Sequence, residues 1–125
     1  GAAVRVTHHP DGEQLYDWTA QGELLFSSAG FSDLGRKSQL FRVGPQGGLS
    51  TPLPVPYGAN ASISADGRWL AYTPHSHDGR TWKRYRGGMA TDVLLFDLEA
   101  KTAEKITDWE GTDSQPMWNG EALWY

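Results

Sequence analysis

One hairpin-like word recurs along this chain, and that recurrence limits the available folds more than any single motif does. "YDWTAQGELLFSS" (16–28) aligns without gaps on "ASISADGRWLAYT" (61–73). The match sets Trp18 on Ile63, Gly22 on Gly67, Leu25 on Leu70 and Ser27 on Tyr72. A third copy, "PMWNGEALWY" (116–125), is one residue shorter and carries Gly120 and Leu123 at the corresponding places. Each copy reads as strand, tight turn, strand. Asp66-Gly67 and Asn119-Gly120 are dipeptides that accept the positive φ of a two-residue hairpin.

The second half of the unit recurs as well. "SQLFRV" (38–43) parallels "VLLFDL" (93–98), with Leu40 on Leu95 and Phe41 on Phe96. A turn follows each, over 44–48 and 99–102, and then a short strand. "VRVTHH" (4–9) and "EKITDW" (104–109) superpose at Val6/Ile106 and Thr7/Thr107, and the proline-broken "STPLPVP" (50–56) fills the middle copy. Pro52, Pro54 and Pro56 cannot donate to a ladder, so this strand belongs on an edge. An antiparallel four-stranded unit that returns after roughly 45 to 55 residues is the signature of β-propeller blades.

The expected fold class is therefore all-β, a partial β-propeller of about two and a half four-stranded antiparallel blades. Residues 1–10 are assigned to the outer strand of a preceding blade, 11–57 and 58–110 to two blades, and 111–125 to the first half of a further one. That division implies eleven strands. No segment keeps a helical apolar spacing, 99–107 included.

Composition agrees and removes several function classes. At 125 residues the chain suits one ordinary domain or a piece of a larger one. Aromatic residues at 12% favour sheet, and 15 Gly with 7 Pro supply turns. The absence of cysteine excludes disulfide and thiolate chemistry. A net charge of −4 argues against nucleic acid as a partner. No apolar run approaches the length of a membrane span and no signal peptide opens the chain, so no membrane association is expected.

The densest cluster of chemistry is "TWKRYRGG" (81–88). Lys83, Arg84 and Arg86 alternate with Trp82 and Tyr85, and Arg80 precedes them. As a guide for peptides, the cations would pair with a carboxylate while the rings stack. As a long connection, the rings would pack on a neighbouring blade and Gly87-Gly88 would turn the chain into the next strand.

Together, "SADGRWLAYTP", "TWKRYRGG" and "DVLLFDLEAKTAEKITDWEGTDSQPMWNG" closely resemble the six-bladed amino-terminal propeller of the tricorn protease family, over nearly the whole chain. The most specific part is the Trp-Lys-x-Tyr-Arg-Gly-Gly run before an apolar strand with an aspartate near its end. That resemblance implies a propeller that breaks no bonds itself and filters or channels peptides. The serine-protease site it serves would lie elsewhere in a large cytosolic assembly. It implies peptides, the remaining blades and copies of the same chain as partners, in a homo-oligomer of cytoplasmic location. In such propellers one loop holds the substrate's carboxylate end with adjacent arginines. The equivalent "THHPDGEQLYDW" (7–18) has no arginine pair, so that role is not carried over. Two alternatives stand beside this expectation: a non-enzymatic protein-binding propeller like the Tol-system component, and a self-associating blade fragment with no function of its own.

The remaining polar residues carry less. His75, His77 and Asp78, and the pair His8-His9, have metal-ligating types but no further spaced ligand set, so neither a metal nor any other cofactor is expected. No serine sits in a nucleophile elbow, and no catalytic residue is assigned. Ser62, Ser64 and Ser114 fall near the starts of inner strands, where a crowded axis favours small side chains. Asp92, Asp108 and Asp113 are expected to accept bonds from loop amides, Asp97 to face solvent or a turn, and Trp18, Trp69, Trp118 and Trp124 to pack between blades. An open set of blades leaves aromatic faces and a strand edge uncovered, so the segment is expected to be an excerpt of a longer chain or to associate with itself.

Overall fold

The computed structural model describes residues 1–8, 12–29, 37–75, 91–107 and 113–125. Among these, ten strands form three antiparallel sheets and there is no helix. The first sheet runs in sequence order β1 (Glu13–Trp18), β2 (Leu24–Ser28), β3 (Gln39–Val43), β4 (Thr51–Pro52). The second repeats that meander with β5 (Ala59–Ile63), β6 (Trp69–Thr73), β7 (Leu94–Asp97) and β8 (Thr102–Lys105). A hairpin of β9 (Met117–Asn119) and β10 (Ala122–Trp124) opens a third. The all-β architecture of two four-stranded units and a half is thus present. The strands number ten rather than eleven, because residues 1–8 form no ladder among the described residues.

The turns differ from the expected two-residue form in the first two copies. Gly22 N donates to Thr19 O at 2.9 Å, and Gly67 N to Ser64 O at 2.9 Å. Only the glycine of each turn is left-handed, at φ 79° and 76°, which is a type I turn closed by a glycine rather than a type I′ pair. The Thr19 and Ser64 hydroxyls complete these turns by accepting from Glu23 N at 3.1 Å and Trp69 N at 3.0 Å. The shorter third copy does have a two-residue loop, but it is Gly120-Glu121 rather than Asn119-Gly120: Asn119 pairs with Ala122 and only Gly120, at φ 62°, is left-handed.

Those turns also correct the ungapped alignment. Trp18 pairs with Leu24, whereas Ile63 pairs with Leu70. The second hairpin holds one more residue, so beyond the turn Leu24, not Leu25, takes the place of Leu70. Likewise Phe26 takes that of Tyr72. Across the next ladder Val43 lies opposite Leu24 and Phe96 opposite Leu70, which matches Val43 rather than Phe41 to Phe96. A one-residue slip exchanges the two faces of a strand, so the correction decides which residues meet which neighbour.

The core lies between the first two sheets. Leu25, Leu40, Leu53 and Val55 of the first pack against Ala61, Ile63, Leu70, Tyr72 and Phe96 of the second. Leu53 and Val55 are buried while Pro52, Pro54 and Pro56 between them are exposed. The proline segment thus alternates like a strand and sits on the sheet edge, as expected. Its carbonyls at Leu53 and Val55 accept from Gln39 Nε2 at 3.1 and 2.8 Å, which ties the segment to β3 by a side chain where Pro54 and Pro56 have no N–H to donate.

The opposite face of the first sheet, Phe26, Phe41, Val43 and Leu24, is covered in part by Val6. Trp18, on the same face as its partner Leu24, is 59% exposed. Trp124 is exposed too, Trp69 and Trp118 are half-buried, and no tryptophan enters the core between the first two sheets, whose aromatic members are Tyr72 and Phe96 with Tyr16 packed against them. Trp18 occupies the position of the buried Ile63, which touches the sheet before its own.

Candidate functional site: the axial cleft

The first strand of each sheet meets the first strand of the next, β1 against β5 and β5 against β9. At the junction the Ser62 hydroxyl donates to Asp17 Oδ2 at 3.0 Å and accepts from Trp118 N at 3.3 Å. One buried hydroxyl therefore ties three consecutive inner strands together. A larger side chain there would hold the strands apart, which is the physical reason for small polar residues at these positions. Ser64 is buried as well, but it serves the hairpin turn rather than the axis, and Ser114 is exposed.

A cleft of about 420 Å³ opens among the three strands. Gln14, Leu15, Tyr16 and Asp17 line it from β1, Asn60, Ala61 and Ser62 from β5, and Gln115 to Trp118 from β9 and the residues before it. Two of these have left-handed backbones without being glycine: Asn60 at φ 44° and Gln115 at φ 55°. Counting back from the paired Ile63–Leu70 and Trp118–Leu123, they occupy the same place in the repeat. Such conformations cost on the order of 1–3 kcal/mol and concentrate at binding sites. In β5 the strain accompanies a bulge between Ala59 and Ser62; β1 has its own between Leu15 and Asp17. Both irregularities close at Asp17 and Ser62, the pair that is hydrogen-bonded across the junction. No sequence signal marks Gln115, while asparagine is among the residues that tolerate this conformation.

The walls offer side-chain amides that both donate and accept, one carboxylate, and the exposed apolar surfaces of Leu15 and Met117. These suit hydrogen bonding to an extended polar chain with alternating donors and acceptors. Tyr16 is fixed by a 2.9 Å bond between its hydroxyl and that of Ser27. Trp118 Nε1 is buried in the wall and has no partner among the described residues.

The guide residues expected from sequence, Trp82, Lys83, Arg84, Tyr85 and Arg86, lie outside the described residues. So do His9, His77, Asp78 and Asp108. His75 is described; its backbone carbonyl accepts from Thr73 Oγ1 at 3.1 Å. Asp92 departs from the expected loop-amide role: it pairs with Lys105 Nζ at 2.9 Å and accepts from Thr107 Oγ1 at 3.4 Å. Asp113 takes part through its backbone, exchanging bonds of 2.9 Å with Thr91.

Asp97 is buried rather than solvent-facing. Arg68 Nη2 donates to its Oδ2 at 2.8 Å, and Arg68 Nε lies 3.2 Å from both oxygens. Its Oδ1 also accepts from Glu99 N at 2.9 Å and Ala100 N at 3.1 Å, which caps the β7–β8 turn as expected. The Arg68 bonds hold the carboxyl at a pKa of about 2, against the opposing effect of desolvation and with help from the two backbone amides.

The chain matches, over residues 1–125, a family model described as the tricorn protease N-terminal beta propeller domain. It is also 30% identical over 127 residues to tricorn protease homolog 1 of Streptomyces coelicolor. That alignment covers 98% of this chain and 12% of the relative, so the chain spans about an eighth of the length of the relative it matches.

Proposed function

Because the chain belongs to the family of tricorn protease N-terminal β-propeller domains, we propose that it scaffolds and gates the passage of peptides to a serine-type hydrolytic site elsewhere in its parent chain. The observation that favours this role is the axial cleft of about 420 Å³, lined by the amide residues Gln14, Asn60 and Gln115, the last two on left-handed backbone. Within that role, residues 1–10 are the outer strand of a preceding blade, 11–57 and 58–110 are blades, and 111–125 begin another. The remaining blades cover Trp18 and the Phe26–Phe41 face, and copies of the parent chain assemble into a cytoplasmic homo-oligomer. Peptides are the partner that enters; Lys83, Arg84 and Arg86, with Trp82 and Tyr85, guide them by charge and stacking.

The test is kinetic. Replacing Lys83, Arg84 and Arg86 together by Ala in the full-length protein raises KM for peptides with free carboxylates and affects amidated peptides less, because the lost interaction is charge pairing. Equal effects on both peptide classes would return this loop to a purely connecting role.

A further inference from the structure

The two junctions between consecutive units are not alike. At the first, Gln21 at the tip of the β1–β2 turn donates from Nε2 to Ala65 O at 3.1 Å. Its amide lies so close to Gly67 that a Cβ there would meet Nε2 at 2.9 Å. The side chain closes the gap between the two tips. At the second junction the repeat places Asp66 where Gln21 stands. Asp66 cannot donate, and its Oδ1 turns back to accept from Ser64 Oγ at 2.5 Å and Arg68 N at 3.1 Å. The gap beyond it stays open as a cleft of about 420 Å³.

We infer that this open junction is a binding site for a basic side chain, the ammonium of a lysine or the guanidinium of an arginine, presented by a peptide. The lining of the cleft includes two tryptophans, Trp69 and Trp118, and two carboxylate residues, Asp66 and Glu121. Indole faces attract cations through their quadrupole, tryptophan most strongly. Trp69 already does so within the chain: the Arg68 guanidinium sits 5.0 Å from its ring centroid. Arg68 does not leave the region positive, since Asp97 pairs with it at 2.8 Å and Glu99 lies 3.6 Å away. The charged residues of the cleft's own described lining are Asp66 and Glu121, both carboxylates, which leaves a negative field that attracts a cation. The hydroxyl and backbone donors on Asp66 keep its carboxylate charged by lowering its pKa. A neutral apolar guest would gain the ring contact but not the field, and an anion would be repelled by it.

This assignment rests on peptide access through the propeller, and it adds a preference for basic residues in the peptides that enter. It is tested on the full-length protein with two N-acetylated, C-amidated pentapeptides that differ only in a central lysine or norleucine. Binding is followed by tryptophan fluorescence at low and high salt. The lysine peptide binds more tightly at low salt and loses its advantage at high salt. Trp69→Leu and Glu121→Gln each reduce that advantage about two- to fivefold, the equivalent of about 0.5–1 kcal/mol. Glu121 lies at an exposed loop position, so its variant keeps the test decisive should Trp69→Leu fail to fold. Equal binding of the two peptides, or a lysine preference unchanged in Glu121→Gln, overturns the site whatever the enzyme hydrolyses. Failure of the whole protein to hydrolyse any peptide overturns the gating role instead, and a surviving lysine preference would still support the cleft.

Discussion

Gly58 is the position where a single methyl group tests how the first two blades meet. It sits just before β5, with its N–H donating to Ser38 O at 2.8 Å. A Cβ added there would lie 2.8 Å from Leu40 Cδ1, 3.2 Å from Leu40 Cγ and 2.9 Å from Tyr72 Cδ2. Leu40 belongs to the first blade and Tyr72 to the second, and both are almost wholly buried, at 0% and 4% exposure. Neither can swing into solvent, so the methyl group must push the blades apart or force a strained rotamer. Overpacking of this kind costs about 1–3 kcal/mol. The backbone at Gly58 is not left-handed, so alanine also gains about 0.4–1 kcal/mol by restricting the unfolded chain. The two opposing effects leave Gly58→Ala less stable by about 1–2 kcal/mol.

The diagnostic comparison pairs it with Leu40→Ala. That substitution alone costs about 2–5 kcal/mol, because it empties part of a closed core. It also removes two of the three short contacts to the new methyl group. Gly58→Ala should then cost less in the Leu40→Ala background than in the native one, with a coupling of about 0.5 kcal/mol or more. Urea unfolding of the complete propeller measures all four corners of the cycle. Additive effects, or a Gly58→Ala variant that gains stability as an unobstructed site would, refute packing of the blades through Leu40 and Tyr72.

Three other outcomes follow from the same geometry. Asp97 has its pKa lowered to about 2 by Arg68 in the folded state, so its stabilising contribution is complete above its ordinary value of 3.8. It fades as pH falls toward 2, and acid unfolding curves should therefore be steeper between those values for the native protein than for Asp97→Asn; matching curves would remove the Arg68 bond as the cause. Gly22→Ala and Gly67→Ala both place a side chain at positive φ, at a cost of about 1–2 kcal/mol each, but only the second also strikes the Gln21 amide. Gly67→Ala should thus melt lower than Gly22→Ala, and the reverse order would contradict the Gln21–Ala65 bond. Finally, residues 1–125 by themselves should turn over no short fluorogenic peptide, and turnover abolished by replacing a single serine of this segment would overturn the proposal that hydrolysis happens elsewhere in the parent chain.

The repeat was legible because three hairpins carry glycine at the turn and apolar, aromatic-bearing runs on either side, local signals that need no tertiary context. The edge position of 50–56 was equally legible, since three prolines dictate it. The slip of one residue beyond the second turn was not. Ungapped similarity rewards Leu25 on Leu70, and nothing local shows that the second hairpin holds one more residue before Leu70 pairs. Asp97 illustrates a different limit. A carboxylate following Phe96 reads as exposed until Arg68, 29 positions earlier, arrives to neutralise it. The tryptophans misled for a related reason: their size suggested the core, but the faces they occupy are set by register, and aliphatic residues with Tyr72 and Phe96 fill the closed interface.

That register carries a consequence for the uncovered side of the first blade. Leu24, Phe26, Phe41 and Val43 stand where Leu70, Tyr72, Leu94 and Phe96 stand in the second. The second set is pressed against a preceding sheet that presents Leu25, Leu40, Leu53 and Val55. Repetition thus specifies what would complete the first set: another sheet edge-on to the axis with an aliphatic trailing face. Trp18 fits that arrangement, since its counterpart Ile63 is buried by the preceding blade. Covering a large aromatic contributes on the order of 2–3 kcal/mol, a substantial part of the stability of an ordinary domain. Contact with its neighbour is therefore part of what stabilises each blade. A surface built from such a repeat gains distinct chemistry only where a copy departs from the rule. The second junction is such a departure: Asp66 stands in place of Gln21 and faces a shorter third turn, and a cleft lined by Trp69 and Trp118 lies where the first junction has a bridging amide.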